Sequence, residues 1–216
     1  HYDCFVDLLK DLADKTSLNA RQLAILVKID FFSDFGNQRE LLRIIELFDR
    51  LNSGGAKEVF REEIDGGAFE QAFRRHSTWK TKAGKEAKKY KFSDCMAILR
   101  ECEAIIKQSG IEDLDNIVKV MNYYEATGTF GYYTGLDEDR PKLFVKEVYP
   151  VCRKSDNRQF GYSIITQSLG SGKESRFTVF NRGFDKDPIQ KNDLILCKHY
   201  AKDGPYFQLD SYTHIY

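Results

Sequence analysis

Residues Asn19 to Leu51 read NARQLAILVKIDFFSDFGNQRELLRIIELFDRL. Two amphipathic segments flank a six-residue turn, Phe31 to Gly36. Asn19 stands three residues before Gln22, and Asn37 three residues before Glu40. Each pair fits a capping box, in which the first side chain takes an orphan amide of the helix start and the second reaches back. The stretch is expected to fold as helix, hairpin, helix. In a helix-hairpin-helix unit the turn and the second helix's start turn free N–H groups toward a phosphate. An ordinary helical corner has the same pattern, so the stretch alone leaves both readings open.

Outward from this stretch, the N-terminal part is helical. Phe5, Leu8, Leu9 and Leu12 share a face ahead of the hairpin. Asn52-Ser53-Gly54-Gly55 is a breaker. Residues 56–75 carry Val59, Phe60, Phe69, Ala72 and Phe73 and are read as a further helical segment, interrupted at Gly66-Gly67. A basic loop follows, Arg74 to Lys91, with eight Lys and Arg against the single Glu86. Ser93 is the expected cap of a helix whose stripe is Cys95, Ile98, Leu99, Cys102, Ile105 and Ile106. Gly110 ends it, and another helix starts near Leu114 with Ile117, Val118 and Met121 inward.

Past Gly128 the periodicity changes. LFVKEVYPV, FGYSIITQS, SRFTVF, DLILCKHY and YFQLDSYTHIY are short, β-branched and aromatic, and read as strands. Ser155-Asp156-Asn157, Gly170-Ser171-Gly172 and Asp203-Gly204 supply turns. The third connection, 181–192, is longer and polar, with room for a helical turn. Five strands in this arrangement fit an OB-like barrel, with an SH3-like barrel as the competitor. The expected class is α+β: a helix-hairpin-helix region over 1–52, a helical connector with its basic loop over 53–128, and a five-stranded barrel over 141–216.

Composition narrows the functional classes. The chain has 216 residues, 31% charged and 42% hydrophobic, with zero formal net charge. Overall charge therefore recruits no polyanion, and only local excess can. No apolar run approaches the ~20 residues that span a bilayer, so no membrane partner is expected. Five scattered cysteines favour free thiols and a cytoplasmic setting. The chain opens with His1 inside an amphipathic pattern, as a fragment of a longer protein would.

Catalytic patterns are absent from the reading. Gly170-Ser171-Gly172-Lys173 looks like the end of a phosphate loop, but that loop needs glycine at 167, where the chain has Gln167, and a strand-to-helix context. Cys95 and Cys102 have core spacing rather than ligand spacing. His1, His76, His199 and His214 are dispersed. No catalytic residue, metal site or cofactor is assigned.

The positive signals concern polyanions. The hairpin offers Ser33, Asp34, Phe35, Gly36, Asn37, Gln38 and Arg39. The basic segment offers Arg74, Arg75, Lys80, Lys82, Lys85, Lys88 and Lys89 around Trp79, for phosphates without sequence readout. On the second barrel strand, alternation puts Phe160, Tyr162 and Ile164 on one side and Gly161, Ser163 and Ile165 on the other. The aromatic set is read as an outward platform for stacking bases, and core filling is the competing role. Arg153, Lys154, Arg158, Arg176 and Lys198 are the expected backbone contacts around it.

These features in this order resemble the C-terminal region of the bacterial, or phage-like, DNA polymerase III alpha subunit. LNARQLAILVKIDFFSDFGNQRELL is similar to that family's hairpin. Tyr124-Glu125 through Gly131-Tyr132-Tyr133-Thr134-Gly135 resembles its join to the OB domain. Leu143 onward, with Arg153-Lys154 and FTVFN at 177–181, resembles the domain's first strands. The resemblance covers the chain except 53–112. It implies an accessory portion of a DNA-directed DNA polymerase whose metal-binding carboxylates lie upstream. The hairpin, at Ser33 to Arg39, would grip duplex DNA and the barrel would contact single-stranded template. Other replisome subunits are further expected partners, and a replisome protein-interaction module without DNA binding is the alternative.

Overall fold

Helix starts in this chain are set by side chains that reach back to free amides, and the computed structural model shows them at several positions. It describes all residues except 1, 53–57, 65–66, 131–135, 137–138, 204–205 and 216. Helix α1 is Phe5–Lys15, α2 is Ala20–Lys28 and α3 is Gln38–Asn52. Asn19 and Gln22 form the expected capping box at α2. At α3, Asn37 Oδ1 accepts from the Glu40 amide at 2.9 Å and Glu40 Oε2 accepts from the Asn37 amide at 3.1 Å. Leu41, Ile44, Ile45, Phe48 and Leu51 recur at helical spacing on α3 and are all buried.

The segment 56–75 is not one helix. Strand β1 (Glu58–Phe60) leads into a 3-10 turn, Arg61–Glu63, and α4 covers only Glu70–His76. Strands β2 (Thr78–Lys80) and β3 (Glu86–Lys91) follow, where a basic loop was expected. The three strands form a small antiparallel sheet in the order β1-β3-β2. Val59 lies opposite Tyr90 in this sheet, so the apolar positions that mimic a helix belong to different elements. Thr81 closes the β2–β3 turn, its amide donating to the Lys85 carbonyl at 2.8 Å, and Gly84 takes φ +77 there. Helix α5 is Cys95–Gln108, and its cap is Asp94 rather than Ser93. The Asp94 carboxylate accepts from the Met96 amide at 2.8 Å. One apolar core joins α1 through α5 and the sheet, with Phe5, Leu9, Phe73, Tyr90, Ile98 and Leu99 nearly inaccessible.

The chain divides into two compact units, His1–Leu114 and Asp115–Tyr216. The second opens with α6 (Asn116–Thr127), capped by Asp115 and closed by Gly128 at φ +71. Strands β4 (Lys142–Cys152), β5 (Gln159–Ser168), β6 (Glu174–Phe180), β7 (Leu194–Asp203) and β8 (Tyr206–His214) follow, with the short helix α7 (Asn181–Phe184) after β6. They close into a barrel in the order β4-β5-β6-β8-β7, with β7 returning to β4. The β6–β8 pair is parallel and the other four are antiparallel. The protein is thus mixed α+β with a closed five-stranded barrel, consistent with an OB-like barrel. Leu143, Val145, Ile164, Phe177, Val179 and Ile195 fill the interior. Val120 and Met121 of α6 pack with Phe144, Leu169 and Leu194 in a second cluster.

Gly170-Ser171-Gly172 is the β5–β6 turn, with strands on both sides, which removes the phosphate-loop likeness. Several sequence features involve residues outside the described ones: the breaker after Asn52, Gly66 of the Gly-Gly pair, the join at Gly131–Gly135, and Gly204 of the last hairpin.

Candidate nucleic-acid interface

The hairpin turn is held from within. Phe32 and Phe35 pack on Phe5, with ring centroids 5.2 and 5.5 Å apart. Asp30 sits at φ +60, and its carboxylate accepts from Gln38 Nε2 at 2.8 Å. Gln38 is 2% exposed and also donates to the Lys28 carbonyl, so its side chain ties the turn together and faces no ligand. Asn37 Nδ2 donates to the Ile111 carbonyl at 2.9 Å. The Gly36 amide donates to Ser33, and the Asn37 amide to Glu40. The Glu40 carboxylate lies against Gly36, where a Cβ would meet Oε2 at 2.8 Å. The chain thus supplies its own anion at the position expected for a phosphate. Among Ser33 to Arg39, the side chains of Ser33, Asp34 and Arg39 are exposed, and the first-turn amides of Gln38 and Arg39 lie outside the capping box. Phe31, at the turn's edge, is 68% exposed.

Four of the eight cations of the basic segment, Arg74, Arg75, Lys89 and Lys91, are ion-paired. Arg74 reaches Glu70 at 2.6 Å and Glu86 at 3.0 Å, and Arg61 reaches both as well, at 3.0 and 2.6 Å. Arg75 pairs with Glu101 at 2.5 Å, and His76 lies 2.8 Å from the same carboxylate. Lys89 is bonded to Glu58 and stands over the Phe60 ring. Arg74 and Lys80 both stand over the Trp79 ring, at 4.2 and 4.8 Å from its centroid. The guanidinium of Arg61 holds the Glu86 carboxyl below its ordinary range, Arg74 does the same to Glu70, and Lys89 to Glu58. Of the seven expected contacts, only Lys82, Lys85 and Lys88 carry neither an ion pair nor an aromatic partner among the described residues. The sequence window hid this because Glu58, Glu70 and Glu101 lie outside it.

On the barrel, Ile164 is fully buried in the interior, and Tyr162 stacks on Phe184 of α7 with centroids 3.6 Å apart. Tyr162 is half-buried and already stacked on a ring of the chain itself. The opposite face carries Gly161, Ser163, Ile165 and Gln167, of which Gly161 and Ser163 are covered by their neighbours. Directly paired residues of adjacent strands share a face. Tyr149 of β4 and Thr178 of β6 lie opposite Ser163, Arg176 opposite Ile165, and Phe180 opposite Gly161. A Cβ at Gly161 would meet the Val179 carbonyl at 2.4 Å, so glycine lets β6 approach this closely. Cys152 pairs with Gln159 and Val151 with Gly161, which leaves Phe160 as the extra residue of a bulge. The bulge turns Phe160 toward Phe180, at 6.1 Å.

The result is a strip across β4, β5 and β6 with Tyr149, Phe160 and Phe180 around small residues. Arg176 stands 5.7 Å over the Tyr149 ring. Arg153, Lys154 and Arg158 are exposed on the β4–β5 turn at one end, and Asn157 takes φ +54 in it. Asp156, Glu147 and Glu174 are the acids of this face; Asp156 lies 4.0 Å from Arg158, and Glu174, opposite Gln167, pairs with Lys146 at 2.8 Å. Lys198 is exposed on β7, which pairs with β4 and β8 and does not border β5 or β6, so it does not join the strip. Tyr149 and Phe180 escape a reading of β5 alone. Pairing of Gly161 with a neighbouring strand end is the signal that locates them.

Among the described residues, no three His, Cys, Asp or Glu side chains are grouped to hold a metal ion. No helix among them is long and apolar enough to cross a membrane. No protein-family model matches the chain, and no similar curated protein or solved structure is found.

Proposed function

We propose that this chain is a non-catalytic, sequence-independent DNA-binding portion of a replicative polymerase of the DNA polymerase III alpha type, with the barrel contacting single strands. The observation that carries the reading is the β4–β6 strip. Its half-exposed Phe180, Phe160 and Tyr149 offer π-faces, and Arg176, Arg153, Lys154 and Arg158 offer cations along the same surface. Stacking tolerates any base and contributes ~1–3 kcal/mol per base. The cations contact phosphates without reading sequence. The polymerase setting rests on the order of hairpin, connector and barrel in the sequence. Duplex contact by the hairpin draws support from the first-turn amides of Gln38 and Arg39 and the exposed Arg39 side chain.

Fluorescence anisotropy with labelled oligo-dT and with a primer-template tests the reading. Binding is expected at low salt, weakening steeply as salt rises because counterions are released from the strand. No binding to either nucleic acid at low salt would sink it.

A second reading is a protein-interaction module of the replisome. Phe31, 68% exposed beside a turn that already holds the Glu40 carboxylate, favours it for the hairpin. Charge reversal at Lys82, Lys85 and Lys88 separates the two. Weakened primer-template binding supports nucleic-acid contact by the first unit, and unchanged affinity supports docking of protein there.

A further inference from the structure

Strands β6 and β8 pair only at Phe177 with Phe207 and Thr178 with Gln208. Beyond those residues they separate, and a cleft of about 490 Å³ opens between β6–α7 and β8. That volume is within the range that holds a small organic ligand. Each bordering strand is laddered on its far side, β6 to β5 and β8 to β7, so both turn a backbone edge toward the cleft. Phe180 lines its mouth and is also the last aromatic of the outer strip, so the two surfaces are continuous through one ring.

The charges of the cleft are unequal in their commitments. Asp210 accepts from Gln208 Nε2 at 2.6 Å and lies 3.0 Å from His199 Nδ1. Asp187 lies 3.2 Å from His214 Nε2, and its carbonyl accepts from the Tyr212 hydroxyl. Both carboxylates thus face side chains of the same wall, a glutamine and two imidazoles, and neither is paired with a lysine or arginine among the described residues. Arg182 and Lys186, on the opposite wall, are exposed and have no ion pair or hydrogen-bond partner for their side chains among the described residues. The side chains free to turn toward a ligand are therefore these two cations, a planar two-pronged donor and a point charge, which suit a phosphate. An aromatic ring and open backbone edges beside it suit a base.

We propose that this cleft is a nucleotide subsite, which takes one phosphate-bearing nucleotide at the end of a strand lying on the outer strip. The inference rests on the single-strand reading for its place in the path, but its chemistry can be tested alone. Isothermal titration of the whole chain with thymidine 5′-monophosphate, thymidine and inorganic phosphate provides the probe. The monophosphate is expected to bind at least tenfold more tightly than either part. The Arg182→Ala, Lys186→Ala double variant is expected to lose that binding at least tenfold, and a Lys198→Ala variant, exposed on β7 and off the strip, to keep it. Circular dichroism of each variant confirms that the barrel is intact. Equal binding by the Arg182, Lys186 variant, or no monophosphate binding by the unaltered chain, overturns the subsite. Oligo-dT binding without monophosphate binding overturns the subsite and leaves the strip standing. Monophosphate binding without oligo-dT binding supports the subsite and removes the strip.

Discussion

Glu103 is the buried charge on which the first unit's packing turns. It lies on α5 and is 2% exposed. Helix α1 has no side-chain cap of its own at Cys4. Glu103 supplies one from distant sequence: Oε1 accepts from the Phe5 amide and Oε2 from the Val6 amide, both at 2.9 Å. Lys107 balances the carboxylate at 2.7 Å. Replacing Glu103 with Ala strands two buried amides, and each costs about 1–3 kcal/mol when left unpaired. Lys107 returns partly to water and offsets some of this. A net loss of about 3–5 kcal/mol is expected, the range for breaking a buried charged pair. Glu103→Gln keeps one acceptor oxygen and is expected to lose about half as much. Trp79 is the chain's single tryptophan and lies in this unit, so urea unfolding followed by its fluorescence reads the right transition. Phe5 also supports Phe32 and Phe35 of the hairpin turn, so amide exchange there should quicken along with that of α1. A loss under about 1 kcal/mol for Glu103→Ala would refute the capping role.

Three other outcomes follow from the same contacts. Glu40→Ala should cost about 1 kcal/mol through the broken capping box. It should also raise duplex affinity about fivefold, since it removes a negative charge worth about 1 kcal/mol at ~4 Å in water; unchanged anisotropy would take the hairpin off the duplex. Glu58, Glu70 and Glu86 have folded values below the ordinary 4.5. Their stabilisation is therefore complete above that value and lost as pH falls through the lower folded ones. Trp79 fluorescence should hold steady from neutral pH down through the ordinary carboxylate range and change only at more acid pH; a transition near neutral pH would contradict the ion-pair network. Burial pushes the Cys102 thiol up to about 12, whereas Cys152 is exposed. A thiol reagent should modify Cys152 at once and Cys102 only on unfolding, and rapid labelling of Cys102 would mean an open α5 core.

Much of the architecture is legible in the chain because its signals are local. The capping boxes at Asn19 and Asn37 need only four consecutive residues. The α3 stripe needs only fifteen, and the five strand segments declare themselves by residue type. What the sequence hides depends on distant partners. Val59 and Phe60 look helical beside Phe69 until Glu58–Phe60 is seen to pair with Lys89–Lys91. The run from Arg74 to Lys91 looks like free charge until Glu58, Glu70 and Glu101 close on it. For β5, alternation separates Tyr162 and Ile164 from Gly161, Ser163 and Ile165 as the register does, but it groups Phe160 with the first set. It cannot say which side faces in, and it cannot foresee the bulge that turns Phe160 aside. The residues that complete the strip, Tyr149 and Phe180, lie on neighbouring strands, where only register brings them to Gly161 and Ser163.

The most direct test of single-strand binding is the oligo-dT affinity of the Arg176→Ala, Phe180→Ala double variant against the unaltered chain, at one low salt concentration. Loss of one stacked base and one phosphate contact should weaken binding at least tenfold, since stacking alone contributes about 1–3 kcal/mol. The same variant should keep the far-ultraviolet circular dichroism of the barrel, because both side chains point outward. Affinity within twofold of the unaltered chain, with the barrel intact, would contradict the assignment of the β4–β6 strip as the binding face.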